Sequence, residues 1–256
     1  MKLNLAEKRA LLTGGTRGIG FGIAKQLVAE GVKLAFCART ADAVASAEKA
    51  LSTPNTTVRG WPVDIANGED VENWVKQAAD FLGGVDIVIS NASAMAVDDS
   101  DAAWQRNYKV EIAGLRHILT IARPYLEQAA ETHGDAAVIA IASTAASKTG
   151  RIESYGPVKA ALIHYIKGLS RELARHRIRA NTVSPGPVYI EDGFWGDVER
   201  KDPALFKATV NQFPMNRMTR PEEIADVVTF LVSPLAASIV GSNVIVDGGR
   251  SDHVQL

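Results

Sequence analysis

The segment Thr13-Gly14-Gly15-Thr16-Arg17-Gly18-Ile19-Gly20 limits the folds open to this chain more than any other. It follows a short apolar run, Arg9 to Thr13, and leads into a stretch whose apolar residues Ile19, Ile23, Leu27 and Val28 recur at helical spacing until Gly31 stops it. The same alternation continues with strands at Val32 to Ala38 and Val58 to Val63, each followed by a helical pattern, Asp42 to Leu51 and Gly68 to Leu82. Strand alternating with helix predicts an α/β fold: a doubly wound parallel sheet of about seven strands with helices on both faces. A single domain is expected over residues 1–256.

The runs Val85 to Asn91 and Ala136 to Ala142 are continuously apolar, as in central strands covered on both faces. Between them a long helix is expected from about 101 to 131, kinked or broken near Pro124, with an inward stripe of Trp104, Tyr108, Glu111, Leu115, Ile118 and Ala122. Strand six is expected at Ile178 to Val183 and strand seven at Asn243 to Val246. Residues 187–220 lack clean rhythm and are rich in aromatic side chains, which suits a substrate loop or a satellite cluster under a surface helix.

Tyr155 and Lys159 are four residues apart and therefore share a helical face. Their phase continues into Leu162, Ile166, Leu169 and Leu173, so both point at the core, where a phenol and an ammonium need partners. Pro157 suits the first turn of that helix, which places its start near Ser154. Ser143 lies twelve residues before the tyrosine, with Thr144 and Ser147 as rival hydroxyls. Reduction of a carbonyl by hydride leaves an alkoxide that needs a proton, and a phenol beside an ammonium can supply one.

A glycine turn between strand and helix lets a backbone approach a pyrophosphate, whose charge suits the helix's unpaired N–H groups. After strand two the chain reads Ala38-Arg39-Thr40, with no acid to bind a ribose hydroxyl, and Arg17 adds a second cation in the turn. Together these favour NADP(H) over NAD(H) as cofactor. The 28 basic and 29 acidic residues leave a net charge of −1, which argues against nucleic acid and membrane surfaces as partners. No apolar run approaches membrane-spanning length, no signal-peptide core is seen, and the lone Cys37 forms no internal disulfide, so a cytoplasmic location is expected. Histidines 117, 133, 164, 176 and 253 are scattered, no metal site is expected, and the basic run Arg171 to Arg179 reads as a solvated helix end.

The ordered set of glycine turn, Asp64, Asn91-Ala92, Ser143, Tyr155 with Lys159, and Pro185-Gly186 resembles the compact subtype of the short-chain dehydrogenase/reductase family from Leu11 to Gly249. The resemblance implies a seven-stranded Rossmann sheet, a nicotinamide dinucleotide, and a homotetramer or homodimer. It implies cofactor contacts from Gly14, Thr16, Arg17, Gly18, Ile19, Gly20, Arg39, Asp64, Ile65, Asn91, Ala92, Tyr155, Lys159, Pro185, Gly186 and Val188. In that reading Tyr155 is the general acid or base, Lys159 tunes it and holds the nicotinamide ribose, and Ser143 binds the substrate oxygen.

The chain departs from the family pattern at Glu111, where an asparagine that holds a relay water is common, and at Ile190, where relatives often carry a threonine. An inward Glu111 would need a partner such as Lys159, and a catalytic part for it is one expectation. The function expected is interconversion of a secondary alcohol and a ketone or aldehyde on a small-molecule substrate. The alternative is a cofactor-binding sensor or scaffold without turnover.

Overall fold

The computed structural model describes residues 2–252, and His253 lies outside them. The strands are β1 (Arg9–Thr13), β2 (Lys33–Ala38), β3 (Val58–Pro62), β4 (Ile87–Ser90), β5 (Ala136–Ile141), β6 (Ile178–Pro185) and β7 (Asn243–Val246). They form one sheet in the order β3-β2-β1-β4-β5-β6-β7 with every pairing parallel. Parallel neighbours need crossovers, and here helices supply them. In chain order these are α1 (Gly18–Ala29), α2 (Ala41–Leu51), α3 (Gly68–Leu82), α4 (Asp101–Asn107), α5 (Gly114–His133), α6 (Tyr155–Leu173), α7 (Phe194–Lys201), α8 (Pro203–Val210) and α9 (Pro221–Val232).

Alternate residues of each strand feed opposite faces, which explains the unbroken apolar runs. Leu12, Phe36, Ile89 and Ile139 pack with α1, α2 and α9, whereas Leu11, Cys37, Val88 and Val138 pack with α3, α5 and α6. The chain winds outward from β1 through β2 to β3, then returns to lay β4 on the other side of β1. That reversal opens a crevice at the carboxyl ends of β1 and β4, the place where such sheets bind ligands.

The expectation of a break near Pro124 is corrected. The interruption comes earlier, at a π-helical segment Tyr108–Ala113, and α5 runs through Pro124 to His133. Pro124 faces solvent, where the carbonyl it leaves unbonded can take water. A π segment has more residues per turn than an α-helix. The inward positions Ala103, Asn107, Glu111 and Leu115 accordingly fall four apart, while Trp104 and Tyr108, expected on the apolar stripe, are exposed.

Residues 187–220 are also more regular than expected, because they contain α7 and α8. These helices have eight residues each, too short for an apolar rhythm to stand out, and Asp202 caps α8 by accepting from the Leu205 N–H at 3.0 Å. Within the region Tyr189 meets Phe206 edge to face, Phe213 is buried, and Phe194 and Met215 are exposed. Helix α9, for which the sequence reading makes no assignment, has Pro221 at its start and Glu223 reaching back to the Arg220 N–H at 2.8 Å.

Arg179 is a further correction: far from lying on a solvated helix end, it is only 4% exposed on β6. It pairs with Asp135 at 2.8 Å and 2.9 Å and donates to the Ser233 carbonyl at 3.1 Å. Beside it Asp86 is buried and accepts from Arg9 Nε at 2.6 Å, the Arg9 N–H at 2.9 Å and His133 Nδ1 at 2.7 Å. Burial pushes the Asp86 carboxyl up, but the bonds from Arg9 and His133 outweigh it and hold its pKa below the ordinary range. A depressed pKa contributes stability that is present above the ordinary carboxylate range and lost as pH falls through the folded value. Asp86→Asn is therefore expected to lower unfolding free energy by about 3 kcal/mol near neutral pH. Denaturant titrations should show that gap narrowing in acid.

Candidate active site

The glycine turn, Arg39, Asp64, Asn91, Ser143 and Gly186 all follow or end strands of one parallel sheet, which brings them to the same edge. Gly14 has φ +71°, a left-handed conformation that other residues rarely adopt. A Cβ at Gly20 would stand 2.0 Å from the Gly14 carbonyl oxygen, so the turn can close onto α1 only with glycine there. Thr13 Oγ1 accepts from the N–H groups of Asn91 and Ala92, both at 2.9 Å, and Asn91 Nδ2 donates to the carbonyls of Thr13 and Gly14 at 3.0 Å and 3.1 Å. Asn91 thus ties the end of β4 to the turn after β1.

Helix α1 begins at Gly18 with no side-chain cap and no acid in its first turn. Its N-terminal N–H groups, beside a turn without side chains at Gly14, Gly15 and Gly18, fit a pyrophosphate. Thr16 and Ile19 are half-buried at this turn, while Arg17 and Arg39 are exposed and form no ion pair among the described residues. Asp64 is exposed and accepts from the Ala66 N–H at 3.0 Å, and Ile65 is buried against Gly114. Ile190 Cδ1 would lie 2.9 Å from a Cβ on Gly18, so the chain after Pro185, Gly186 and Val188 passes over the glycine turn.

Helix α6 starts at Tyr155, and Ser154 secures that start. Ser154 Oγ donates to the Asp98 carbonyl at 2.9 Å and accepts from Asn107 Nδ2 at 2.9 Å, linking α6 to α4 and to the loop after β4. Tyr155 is half-buried, and among the described residues its hydroxyl has no hydrogen-bond partner. Ser143 Oγ accepts from the Ala145 N–H at 3.1 Å, which leaves its own proton to donate. Of its rivals, Thr144 is buried and Ser147 Oγ donates to the Thr144 carbonyl at 3.1 Å.

Lys159 is 1% exposed, with Nζ 2.7 Å from Glu111 Oε2, 2.7 Å from the Ile141 carbonyl oxygen and 5.6 Å from the centre of the Tyr155 ring. Burial alone would pull its pKa down, but the charge of Glu111, the proximity of Tyr155 and the hydrogen bond to Glu111 raise it above the ordinary lysine value. The ammonium therefore stays charged. Glu111, 2% exposed on the π segment, accepts from Ser93 Oγ at 2.5 Å through its other oxygen.

Asn107 is the member of this network that the sequence reading does not name, and Ser154 enters that reading only as the start of the active helix. The spacing of Asn107 to Glu111, one inward turn apart, is the signal that could have drawn notice to it. A cavity of about 210 Å³ lies between Ser143, Ser147, Ala160, Ile163, Ser184 and Asn243. Neither Tyr155 nor Lys159 lines it.

The family described as enoyl-(acyl carrier protein) reductase matches residues 14–251. Isoepoxydon dehydrogenase from Aspergillus clavatus is 34% identical over 251 residues, 96% of this chain and 95% of that one. Dehydrogenase/reductase SDR family member 4 from Homo sapiens is 31% identical over 258 positions, covering 98% of this chain and 90% of that protein. The solved structure of L-sorbose reductase from Gluconobacter frateurii, complexed with NADPH and L-sorbose, is similar with a TM-score of 0.89 at 28% identity, covering 99% of this chain and all of that one. With a likeness that runs from the glycine turn to beyond the last strand, the chain belongs to the short-chain dehydrogenase/reductase family, oxidoreductases that act on CH–OH groups.

Proposed function

We propose that the protein interconverts a secondary alcohol and a ketone or aldehyde on a small-molecule substrate, with NADP(H) as cofactor and Tyr155 as general acid in reduction and general base in oxidation. The observation that carries this reading is the bond from Lys159 Nζ to the Ile141 carbonyl, two residues before Ser143. It ties the ammonium of α6 to the end of β5, the strand that leads into Ser143. The cofactor, when bound, supplies or accepts the hydride. Ser143 donates its free proton to the substrate oxygen, Tyr155 passes a proton to that oxygen as negative charge develops on it, and Lys159 keeps a positive charge beside the phenol.

Gly14, Thr16, Gly18, Ile19 and Gly20 would hold the pyrophosphate at the start of α1, with Asp64, Ile65, Asn91, Ala92, Pro185, Gly186 and Val188 along the remaining edge. Arg17 and Arg39 are free of carboxylate partners among the described residues, which suits a 2′-phosphate. A homotetrameric or homodimeric assembly belongs to the same reading and is checked by light scattering. No helix among the described residues is long and apolar enough to cross a membrane.

The test is purified protein assayed with NADPH and NADH against a panel of ketones and aldehydes. Turnover with NADPH preferred is expected, and binding of cofactor without turnover on any carbonyl would favour the sensor reading instead. Arg39→Asp is expected to raise KM for NADPH by about tenfold or more and to leave KM for NADH within about twofold, because one charge-assisted contact is replaced by repulsion. Equal use of both cofactors by the parent protein would remove the basis for that preference.

A further inference from the structure

A left-handed backbone is unfavourable for residues other than glycine and gathers at functional sites, and Met95 has φ +51°. Met95 lies in the loop after β4, where Asn107 grips the next residue from both sides. Asn107 Oδ1 accepts from the Ala96 N–H at 3.3 Å, and Nδ2 donates to the Ala96 carbonyl at 2.8 Å. The Met95 N–H itself donates to Ser93 Oγ at 3.3 Å. These bonds hold the backbone in place without burying the side chain, which is 59% exposed.

The loop delivers that side chain beside Tyr155. Ser154, the residue before the tyrosine, donates through its N–H to the Asp98 carbonyl at 3.0 Å, and through Oγ to the carbonyls of Asp98 at 2.9 Å and Ala96 at 3.3 Å. Met95 and Val97 flank Ala96, and Ile152 lies two residues before Ser154, so three exposed apolar side chains are brought close to the phenol. Single exposed apolar residues are ordinary, but a group of them at a crevice marks a ligand surface. The polar side chains of the same loop are engaged within the protein. Ser93 Oγ donates to Glu111, Asp98 accepts from the Ser100 N–H at 3.0 Å, Asp99 from Trp104 Nε1 at 3.0 Å, and Ser100 from the Ala103 N–H at 3.1 Å. Ser143 keeps its proton to donate, and the Tyr155 hydroxyl has no partner among the described residues. The crevice thus offers hydrogen bonds to one oxygen and apolar contact to what surrounds it.

We propose that the substrate is a ketone with an extended apolar substituent, and that Met95 is the residue that selects for it. The proposal rests on the reading of Tyr155 as the acid of carbonyl reduction and names the substrate class of that site. The carbonyl oxygen meets Ser143 and Tyr155, and the substituent lies along Met95, Val97 and Ile152. A polyol at this surface would lose water from several hydroxyls without finding partners for them. The unbranched thioether of methionine adapts to apolar groups of different shape, while the clamped backbone fixes where it starts.

Steady-state kinetics with NADPH on 2-butanone, 2-octanone and D-fructose test this. In the parent, kcat/KM is expected to rise by about tenfold or more from 2-butanone to 2-octanone, with D-fructose far below 2-octanone. Met95→Gly removes the side chain and suits the left-handed backbone. It should lose most of that gain through a higher KM for 2-octanone, while kcat/KM for 2-butanone stays within about twofold and the melting temperature does not fall. Met95→Leu should keep the gain. A parent that favours D-fructose over 2-octanone, or a Met95→Gly protein with the full gain, would overturn the proposal. If no carbonyl is reduced, the activity reading fails, and calorimetry on the NADPH-loaded protein decides the apolar surface by itself. Binding of 2-octanone that weakens by about tenfold in Met95→Gly upholds it, whereas binding that is absent, or equal in the two proteins, overturns it.

Discussion

Tyr155→Phe is expected to lower kcat for carbonyl reduction by about a thousandfold while leaving cofactor affinity and the melting temperature close to those of the parent, since general acid catalysis contributes roughly 10²–10⁴-fold. The separation of the two effects follows from the surroundings of the phenol. Among the described residues its hydroxyl has no protein partner, so removing it leaves no donor or acceptor stranded. The ring, which carries the packing and the contact with the Lys159 ammonium, is retained in phenylalanine. Steady-state kinetics, a cofactor titration by fluorescence and a thermal melt suffice to check it. A Tyr155→Phe protein that keeps a tenth or more of its turnover would remove the phenol from the chemistry.

Lys159→Met should act on both activity and stability. Turnover is expected to fall by at least as much as in Tyr155→Phe, and the fold to lose about 3 kcal/mol near neutral pH, close to 10 °C in melting temperature, because Glu111 is left buried without its counter-ion. The raised pKa of Lys159 contributes stability that is fully present below the ordinary lysine value and disappears only as pH rises through the folded one. The double variant Lys159→Met with Glu111→Leu should recover part of the lost stability and none of the turnover. If the double variant is no more stable than the single one, the pair is not coupled as the 2.7 Å contact implies.

The parts of the site legible in the sequence are those set by local geometry. Glycines in a strand-to-helix turn follow from the backbone angles that turn requires, and Gly14 at φ +71° and the crowding at Gly20 bear that need. The spacing of Tyr155 to Lys159 fixes one helical face, and Lys159 is indeed buried. The alternation of strands and helices yields the seven-stranded parallel sheet because each unit is read within about thirty residues.

What stayed hidden depends on contacts between distant segments or on irregular backbone. Ser93 and Glu111 are 18 residues apart, and Asn107 and Ser154 are 47 apart, with no periodicity linking them. A 3.6-residue period places Trp104 and Tyr108 inward, and the π segment does not follow that period. Arg179 looks like its exposed neighbours in the chain, and only the pairing of β5 with β6 brings it to Asp135.

The buried charges around Asp86 and Arg179 lie where β4 and β6 begin, whereas the candidate site residues gather where strands end. The span of β4 from Asp86 to Asn91 separates the two by roughly 16 Å, beyond the range over which substitutions usually couple. One edge of the sheet is therefore free to diversify while the other underwrites folding. Substrate preference can drift through successive replacements in the loops after the strands without each change having to be matched by repair of the framework. For an engineer, libraries aimed at the loops and stabilising changes aimed at the opposite edge can be developed apart and then combined.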